Sequence, residues 1–258
     1  MSLEQFSLDF FSLKGKVAIV TGGNSGLGQG YAVALAKAGA ELFIVTYDQN
    51  WDETRELIEK AGSKVAFHQA DLTDKSALDG VVQACLDAYG RIDVLVNNAG
   101  TIRRAPLLEY KPEDWDAVME INLNSVYFLS QAVARVMVEQ KSGKIINIAS
   151  MLAFQGGKFV PPYTASKHAV AGITKAFANE LAVHNVQINA IAPGYIETAN
   201  TAPIRADEAR NQEILSRIPA GRWGAPSDLM GVVVFLASRG SDYMNGHILA
   251  IDGGWLVR

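Results

Sequence analysis

Val17-Ala-Ile-Val-Thr-Gly-Gly-Asn-Ser-Gly-Leu-Gly28 joins an apolar run to a glycine-rich turn, and an alanine-rich segment with helical spacing follows over Leu27–Ala38. An apolar run without alternation is expected of a strand that is covered on both faces. The glycines allow a tight turn and a close approach of the backbone to a ligand. A strand, a glycine turn and a helix in this order are typical of the start of a βαβ unit.

The same alternation of strand and helix patterns continues along all 258 residues, and no change in composition marks a second domain. We therefore predict one α/β domain over residues 1–258, a Rossmann-like doubly wound parallel sheet of about seven strands with helices on both faces. The predicted strands are Val17–Val20, Leu42–Thr46, Val65–His68, Val94–Val96, Ile145–Ile148, Ile188–Ile191 and Ile248–Ile251. The predicted helices are Leu27–Ala38, Thr54–Ala61, Ser76–Tyr89, Trp115–Gln140, Tyr163–His184 and Ser227–Ser238.

The glycine turn predicts a dinucleotide site. Gly22, Gly26 and Gly28 form a GxxxGxG pattern rather than the GxGxxG fingerprint, but the physical requirements are shared. The helix N-terminus beside the turn offers free N–H groups and a positive dipole end to a pyrophosphate. A glycine-rich turn that serves packing alone is the alternative.

The residues that follow the second predicted strand bear on the choice of dinucleotide. An acidic residue about 20 positions after the turn often contacts the adenosine ribose. Asp48 has this spacing from Gly28, and Thr46 or Tyr47 could take its place. No arginine or lysine occurs from Glu41 to Glu53 to hold a 2′-phosphate, so NAD is favoured over NADP.

A candidate proton-transfer pair stands in Tyr163-Thr-Ala-Ser-Lys167, with Ser150 thirteen positions before it. Tyrosine is a poor base because its free pKa is about 10. A lysine four residues further on lies one helical turn away, where its charge favours tyrosinate. A serine hydroxyl could hydrogen-bond the reacting oxygen. The alternative for the pair is a helix start with ordinary surface residues.

The segment at about 194–225 is too long for a simple connection between a strand and a helix, and such loops are often functional. It carries Arg205, Arg210, Arg217 and Arg222, and Asp207–Arg217 has the pattern of a short helix. We predict a substrate lid over the carboxyl ends of the strands. A purely structural excursion is the alternative.

Composition narrows the classes of partner. The formal net charge is −4 and there is no long basic run, which argues against nucleic acid and anionic membrane as partners. No apolar run reaches the ~20 residues of a membrane span. The first 16 residues lack the form of a signal peptide, and a single cysteine fits a reducing compartment, so we expect a cytoplasmic protein. The histidines are scattered without metal-ligand spacing, and no metal is predicted.

With these motifs in order, the chain resembles the short-chain dehydrogenase/reductase family over about Leu13 to Arg258. Further signatures of that family stand at the expected places. They are Asp71-Leu72, Asn97-Asn-Ala-Gly100, Ile121-Asn-Leu123 and Pro193-Gly194 with Ile196 and Thr198. The resemblance implies an NAD-dependent oxidoreductase acting on CH–OH groups. It also implies a homo-oligomer, commonly a tetramer in this family.

The resemblance assigns roles to residues of this chain. Tyr163 would be the general acid/base, and Lys167 would lower its pKa and hold the nicotinamide ribose. Ser150 would orient the reacting oxygen, while Asn122 would fix a helix distortion and a water that links Lys167 to solvent. The implied cofactor-binding residues are Gly22, Asn24, Ser25, Gly26, Leu27, Gly28, Thr46, Tyr47, Asp71, Leu72, Asn98, Ala99, Gly100, Tyr163, Lys167, Pro193, Gly194, Ile196 and Thr198.

Several further stretches resemble a subgroup of this family that handles keto sugar acids. They are Gly100-Thr-Ile-Arg-Arg104, Ile148–Gly157, Ala192–Tyr195, Arg205–Glu208, Ile218–Gly224 and Ile251–Trp255. The likeness implies reduction of 2,5-diketo-3-deoxygluconate to 2-keto-3-deoxygluconate in uronate catabolism. The expected substrate-binding residues are Arg103, Arg104, Met151, Gln155, Tyr195 and Arg222. The alternatives are gluconate 5-dehydrogenase or another sugar-acid or polyol dehydrogenase, and, in another class, a non-catalytic dinucleotide sensor.

Overall fold

The computed structural model describes residues 6–258, so residues 1–5 of the N-terminal segment discussed above lie outside the described residues. Within residues 6–258 the chain forms a parallel sheet of seven strands in the order β3-β2-β1-β4-β5-β6-β7. This confirms the predicted Rossmann-like α/β fold. The strands are β1 (Val17–Thr21), β2 (Glu41–Thr46), β3 (Val65–Gln69), β4 (Val94–Asn97), β5 (Gly143–Ile148), β6 (Val186–Pro193) and β7 (Ile248–Ile251).

Helices cover both faces of the sheet. They are α1 (Gly26–Lys37), α2 (Asp52–Lys60), α3 (Lys75–Tyr89), α4 (Pro112–Met119), α5 (Ser125–Gln140), α6 (Pro161–Leu181), α7 (Ala202–Ala206), α8 (Glu208–Arg217) and α9 (Met230–Ala237). Successive side chains of a strand point to opposite faces. Ala18 and Val20 of β1 therefore join the buried cluster with α1 and α9, whereas Val17 and Ile19 join the cluster with α3 and α5. This two-sided burial explains why the strands show apolar runs rather than alternation.

The strand order reverses at the centre of the sheet and positions the functional cleft. From β1 the chain builds β2 and β3 on one side and then returns to add β4 on the other. Val20 is registered with Val96, so the loops that leave β1 and β4 diverge at the same level. Ligands of open parallel sheets bind in such a crevice beyond the carboxyl ends of the strands.

A buried carboxylate fixes the opposite ends of the two central strands. Asp93 precedes β4 and accepts hydrogen bonds from the Val17 amide (3.0 Å), Lys16 Nζ (3.0 Å) and the Arg91 guanidinium (2.7 Å). Burial by itself would raise the pKa of Asp93, but the hydrogen bonds from Arg91, Val17 and Lys16 bring it below its ordinary value. The network ties β1 to β4 and so helps to set the register on which the cleft depends.

Two predicted helices differ from the structure. The predicted helix Trp115–Gln140, whose expected first-turn residues include Pro112, does begin at Pro112 but is interrupted by a π-helical turn at Glu120–Asn124. The predicted helix Ser227–Ser238 is shorter, because Pro226–Leu229 forms a 3₁₀ turn before α9. The apolar spacing continues through both irregular turns, so periodicity could not reveal them.

Residues 194–225, here named the crossover segment, connect β6 towards α9 and contain α7 and α8. The predicted short helix is confirmed as α8, and the Asp207 side chain caps it by accepting a hydrogen bond from the Arg210 amide at 3.0 Å. Helix α7 was not predicted. Across residues 6–258, no helix combines the length and apolarity needed to cross a membrane.

Candidate active site

A cleft with a volume of about 1230 Å³ lies at the carboxyl ends of the strands. It is bounded by the glycine turn, the loops after β2 to β6, the start of α6 and the crossover segment. Every residue that the sequence assigned to cofactor binding lines this cleft. The topology therefore brings residues from the first and the last thirds of the chain to one place.

The glycine turn forms a cradle that larger residues would fill. Gly26 begins α1 with φ of +54°, a left-handed conformation that favours glycine. A Cβ on Gly28 would lie 2.1 Å from the Gly22 carbonyl oxygen and 2.5 Å from Asn98 Nδ2, so no side chain fits there. The free N–H groups at the start of α1 face the cleft, which suits a pyrophosphate. The residues present thus fit a dinucleotide cofactor.

Polar contacts between β1 and β4 hold this cradle in place. The Thr21 hydroxyl accepts hydrogen bonds from the amides of Asn98 and Ala99, both at 3.0 Å. Asn98 Nδ2 donates to the carbonyl oxygens of Thr21 (2.9 Å) and Gly22 (3.1 Å). The predicted cofactor residue Asn98 therefore shapes the turn through its side chain.

The far end of the cleft carries an ordered acidic residue. Asp48 Oδ1 accepts hydrogen bonds from Asn24 Nδ2 and the Asn50 amide, both at 3.0 Å. The Thr46 hydroxyl donates to the Asp48 carbonyl oxygen at 2.6 Å. These contacts place the Asp48 carboxylate beside the glycine turn, while Tyr47 is largely exposed.

Ser150, Tyr163 and Lys167 converge at the near end of the cleft. Ser150 follows β5, and its hydroxyl accepts a hydrogen bond from the Leu152 amide (3.1 Å) and opposes the rise that burial causes in the pKa of Tyr163. Lys167 lies one helical turn after Tyr163 on α6, and its Nζ lies 5.5 Å from the centroid of the tyrosine ring. Lys167 Nζ donates to the Ile148 carbonyl oxygen at 2.6 Å. The three side chains occupy the arrangement needed to exchange a proton with a bound alcohol or carbonyl.

The environment shifts both titratable groups. Burial raises the pKa of Tyr163, while the hydrogen bond from Ser150 and the charge of Arg104 oppose that rise. Burial lowers the pKa of Lys167 to about 8. The sequence predicts that Lys167 lowers the pKa of Tyr163, but the neighbours that lower it here are Ser150 and Arg104. Lys167 instead directs its ammonium group at the Ile148 carbonyl and gives up its proton more readily than an exposed lysine.

Asn122 lies beneath the cleft rather than in its wall. It is fully buried within the π-helical turn, and its side chain exchanges hydrogen bonds with Thr101, accepting from the amide (2.8 Å) and donating to the carbonyl (3.0 Å). Its Nδ2 also lies 3.2 Å from the Ser166 hydroxyl. The π turn thus coincides with a side chain that links the loop after β4 to α6, and such turns are frequent at functional sites.

Five of the six residues predicted to bind substrate line the cleft. They are Arg103, Arg104, Met151, Gln155 and Tyr195. Arg222 is outside it, because its guanidinium forms a bidentate ion pair with Asp228 (2.7 and 2.9 Å) at the surface. The prediction for Arg222 was therefore wrong about its position. Asp228 also accepts a hydrogen bond from the amide of Ala225, three residues earlier. This local turn holds the Asp228 carboxylate where it binds the Arg222 guanidinium outside the cleft.

On α8 and in the loop before α6, the sequence prediction missed four charged side chains of the cleft. Arg210, Glu213 and Arg217 of α8 all line it, as does Lys158 from the loop before α6. Residues spaced i, i+3 and i+7 share one face of a helix, and that spacing was the available signal. No group of three or more histidine, cysteine, aspartate or glutamate residues that could hold a metal ion is found in the part of the chain that the structure describes.

Comparison with known proteins agrees with this geometry. A family model described as enoyl-(acyl carrier protein) reductase matches residues 22–256. The chain belongs to the short-chain dehydrogenase/reductase family, as its motifs predicted, and is an oxidoreductase that binds a nicotinamide dinucleotide.

Three similar proteins indicate which subgroup of the family this chain resembles. A 2-dehydro-3-deoxy-D-gluconate 5-dehydrogenase of Bacillus subtilis (strain 168) is 55% identical over 250 residues, covering 97% of this chain and 98% of the relative. A crystal structure of an Agrobacterium tumefaciens protein with bound NADP has 51% identity and a TM-score of 0.91, covering 96% of this chain and 99% of that one. A gluconate 5-dehydrogenase from Burkholderia cenocepacia J2315 in complex with NADP and tartrate has 37% identity and a TM-score of 0.94, covering 98% and 100%. The predicted resemblance to the keto sugar acid subgroup is thereby confirmed.

Proposed function

We propose that this protein reduces 2,5-diketo-3-deoxygluconate to 2-keto-3-deoxygluconate with NADH, as a step in the breakdown of uronates. The observation that carries the proposal is the convergence of Ser150, Tyr163 and Lys167 in a cleft whose outer walls hold arginines. Hydride acceptance at a carbonyl needs a matched proton donor, and the cationic walls suit a substrate with a carboxylate. The particular acid is proposed from the name of the similar Bacillus subtilis enzyme, a 2-dehydro-3-deoxy-D-gluconate 5-dehydrogenase.

The chain's own residues provide proton transfer and orientation. When bound, the nicotinamide supplies the hydride that reaches carbon 5 of the substrate. Tyr163 donates its hydroxyl proton to the carbonyl oxygen as the carbon is reduced, and Ser150 holds that oxygen in line. Lys167 in its charged form returns a proton to the tyrosinate, and Asn122 holds a water that connects Lys167 to solvent.

The residues that would hold the cofactor follow from the cradle. The N–H groups at the start of α1 receive the pyrophosphate beside Gly22 and Gly28. By the family resemblance, Asp71 and Leu72 would contact the adenine, and Lys167 would hold the nicotinamide ribose. Ile196 and Thr198 would contact the nicotinamide, and Pro193 and Gly194 at the end of β6 would line the cofactor site.

NAD rather than NADP is the proposed cofactor. The Asp48 carboxylate is held beside the glycine turn, where it can accept hydrogen bonds from ribose hydroxyls and would repel a 2′-phosphate. No arginine or lysine lies between Glu41 and Glu53 to offset that repulsion. Two similar proteins have been crystallised with NADP, so the preference must be measured on this chain.

Substrate contacts are proposed for both walls of the cleft. Arg104 lines the cleft together with Tyr163, and its charge opposes the rise that burial causes in the pKa of the tyrosine. Arg103 stands beside Arg104, 3.6 Å from Asp114. Met151 forms an apolar wall, while Gln155 and Tyr195 offer polar groups to the substrate hydroxyls.

The proposal includes three further predictions, which concern a lid, the cellular location and the oligomeric state. The crossover segment serves as a lid, because it carries cleft residues on helix α8 and is joined to the opposite wall by the hydrogen bond from Arg104 to the Asn200 carbonyl (3.1 Å). A cytoplasmic homotetramer is the expected form of the enzyme, by analogy with its family.

The first alternative is a gluconate 5-dehydrogenase, which the Burkholderia cenocepacia structure favours. A non-catalytic dinucleotide sensor is the alternative of another class. The complete set of Ser150, Tyr163, Lys167 and Asn122 argues against a sensor, since dinucleotide binding alone does not need a proton donor.

One assay separates these possibilities. Purified protein is mixed with NADH and either 2,5-diketo-3-deoxygluconate or 5-keto-D-gluconate, and NADH oxidation is followed by absorbance. We expect the 3-deoxy acid to give the higher kcat/KM, and Tyr163→Phe to lose turnover by about 10²-fold or more while still binding NADH. Faster turnover of 5-keto-D-gluconate would favour the alternative dehydrogenase, and no oxidation with any keto acid would favour the sensor.

A further inference from the structure

Helix α8 presents a charged face to the cleft. Arg210, Glu213 and Arg217 line the cleft from successive turns of this helix. Beside these charged residues, the helix is anchored by the buried side chain of Ile214 and by the hydrogen bond from Trp223 Nε1 to Asn211 Oδ1 (2.7 Å). The charged face is therefore held in position by packing rather than left to move freely.

Within this face, Arg210 is the centre of a polar cluster. Its guanidinium donates a hydrogen bond to the Glu213 carboxylate, and its charge opposes the rise that burial causes in the pKa of Tyr195, which also lines the cleft. Lys158, from the loop before α6, and Arg217 also line the cleft, and their charges add to that of Arg210 in lowering the pKa of Glu213. Three cations thus act on one carboxylate, and this part of the cleft has an excess of positive charge.

The other arginine side chains of the cleft have different partners. Arg217 stacks over the Trp255 ring at 4.0 Å from its centroid. Arg103 is near Asp114, which is not a cleft residue. Arg104 donates to the Asn200 carbonyl and acts on Tyr163. Arg210 differs, because its acidic partner Glu213 is itself in the cleft and half-exposed, where another carboxylate could replace it.

The chemistry of the substrate favours the same residue. In a six-carbon acid that is reduced at carbon 5, the carboxylate lies four carbon–carbon bonds from the reacting centre. A cation beside Tyr163, such as Arg104, is suited to the reacting end. Arg210 lines the cleft from α8 in the crossover segment, a different element from the loop after β4 that carries Arg104, which suits the distant carboxylate.

We propose that Arg210 is the binding site for the substrate carboxylate, and that Glu213 occupies this site until the substrate displaces it. The inference rests on the proposed function for the identity of the acid. A guanidinium binds a carboxylate through paired charge-assisted hydrogen bonds, so Glu213 is a chemical stand-in for the substrate group. Displacing Glu213 costs part of the binding free energy and also selects for acids over neutral sugars.

The test measures binding without turnover. The full chain loaded with NADH is titrated with D-gluconate, a six-carbon sugar acid that NADH cannot reduce, and with D-sorbitol, which has the same carbon chain without the carboxylate. Arg210→Gln should weaken D-gluconate binding by about 10- to 100-fold, the range of a charge-assisted hydrogen bond, and leave D-sorbitol binding unchanged. Glu213→Gln should strengthen D-gluconate binding several-fold, and the double variant should behave like Arg210→Gln.

Matched controls separate this effect from a general change in lid charge. Arg222→Gln removes an arginine of the crossover segment that lies outside the cleft, and Glu208→Gln removes a carboxylate from α8 that does not line the cleft. Neither control should alter D-gluconate binding. NADH affinity should be the same in all variants, which confirms that each has folded.

Several results would overturn the inference. They are unchanged D-gluconate binding in Arg210→Gln, an equal loss of D-sorbitol binding, weaker binding in Glu213→Gln, or no binding of D-gluconate by the unaltered chain. Failure of the proposed function has a different signature. A chain that binds D-gluconate through Arg210 but oxidises NADH with no keto acid would retain the site and lose the proposed reaction.

Discussion

Lys167 combines deep burial with a position beside the proposed proton donor. Its ammonium group has one hydrogen-bond acceptor, the Ile148 carbonyl oxygen, in place of the water that would surround an exposed lysine. Desolvation penalises the charged form, and the pKa falls to about 8. This value is close enough to neutrality for the residue to gain and lose a proton during turnover.

The pH dependence of reduction should report this group. Lys167 is charged below about pH 8 and neutral above it. We expect kcat/KM for NADH-dependent reduction to be constant below that pH and to fall by up to tenfold per pH unit above it, because neutral Lys167 cannot return a proton to Tyr163. A pH–rate profile in buffers of constant ionic strength gives the answer, and a flat profile up to pH 10 would refute this role.

Asp48 should decide the preference between the two nicotinamide cofactors. Its carboxylate can accept hydrogen bonds from the ribose hydroxyls of NADH and would repel the 2′-phosphate of NADPH. We expect kcat/KM to be about 10- to 100-fold higher with NADH, the range of charge-assisted hydrogen bonds, and the ratio to drop in Asp48→Asn. Asp52→Asn, on the nearby helix α2 but outside the cleft, should keep the wild-type ratio; equal use of both cofactors by wild type would contradict the prediction.

For individual residues, sequence motifs predicted the site best at positions where few other residue types could serve. Only glycine fits at Gly28, and a lysine one turn after Tyr163 is readily recognised. The role of an arginine is harder to predict from sequence, since its long side chain can reach any of several partners. The sequence contains Arg210 and Arg222 in the same segment, and only the folded chain shows that Asp228 holds one outside the cleft while α8 directs the other inward.

Among the elements, β1 and β4 do most to position the site. Their carboxyl ends hold the glycine turn and the loop from Asn98, and their other ends meet at Asp93. The ion pairs at Asp93 are half-buried, and the carboxylate itself is almost fully buried. Removing that charge leaves Lys16 and Arg91 without their partner and weakens the bond to the Val17 amide.

Asp93→Asn should therefore lower the free energy of unfolding by about 2 kcal/mol, as for other hydrogen bonds to buried charged groups. Because the hydrogen bonds hold the folded pKa of Asp93 below its ordinary value, the contribution is present at neutral pH and is lost as pH falls through the folded pKa. Urea denaturation at pH 7 and at acid pH measures both effects. Asp79→Asn, at an exposed position, should stay within about 0.5 kcal/mol of wild type; a similar loss in both variants would contradict the role of the network.

The π-helical turn at Glu120–Asn124 could not be predicted from the spacing of apolar residues. Its apolar residues continue the helical spacing of α4 into α5, so the sequence predicts one uninterrupted helix. The turn is fixed by tertiary contacts, since Asn122 exchanges hydrogen bonds with Thr101 on a distant loop. The family resemblance supplied the expectation of a distortion at Asn122 that periodicity alone could not.

For the whole molecule, the alternation of apolar runs and helical segments predicted the parallel sheet, because burial on both faces leaves continuous apolar runs in its central strands. The strand order and the cleft depend on long-range packing, which no single segment records. The order places β4 beside β1 and so brings the glycine turn, Ser150 and α6 around one crevice. The spacing of Arg210, Glu213 and Arg217 places them on one face of α8, but only the folded crossover segment shows that this face lines the crevice.

The central claim is that this cleft transfers hydride to carbon 5 of a keto sugar acid while Tyr163 supplies the proton. The most direct measurement uses NADH that carries deuterium on the transferable position of nicotinamide carbon 4, with 2,5-diketo-3-deoxygluconate as substrate. NMR of the product should locate the deuterium on carbon 5 of 2-keto-3-deoxygluconate with the wild-type chain and find none with Tyr163→Phe. Deuterium on carbon 2, or no transfer by the wild-type chain, would contradict the claim.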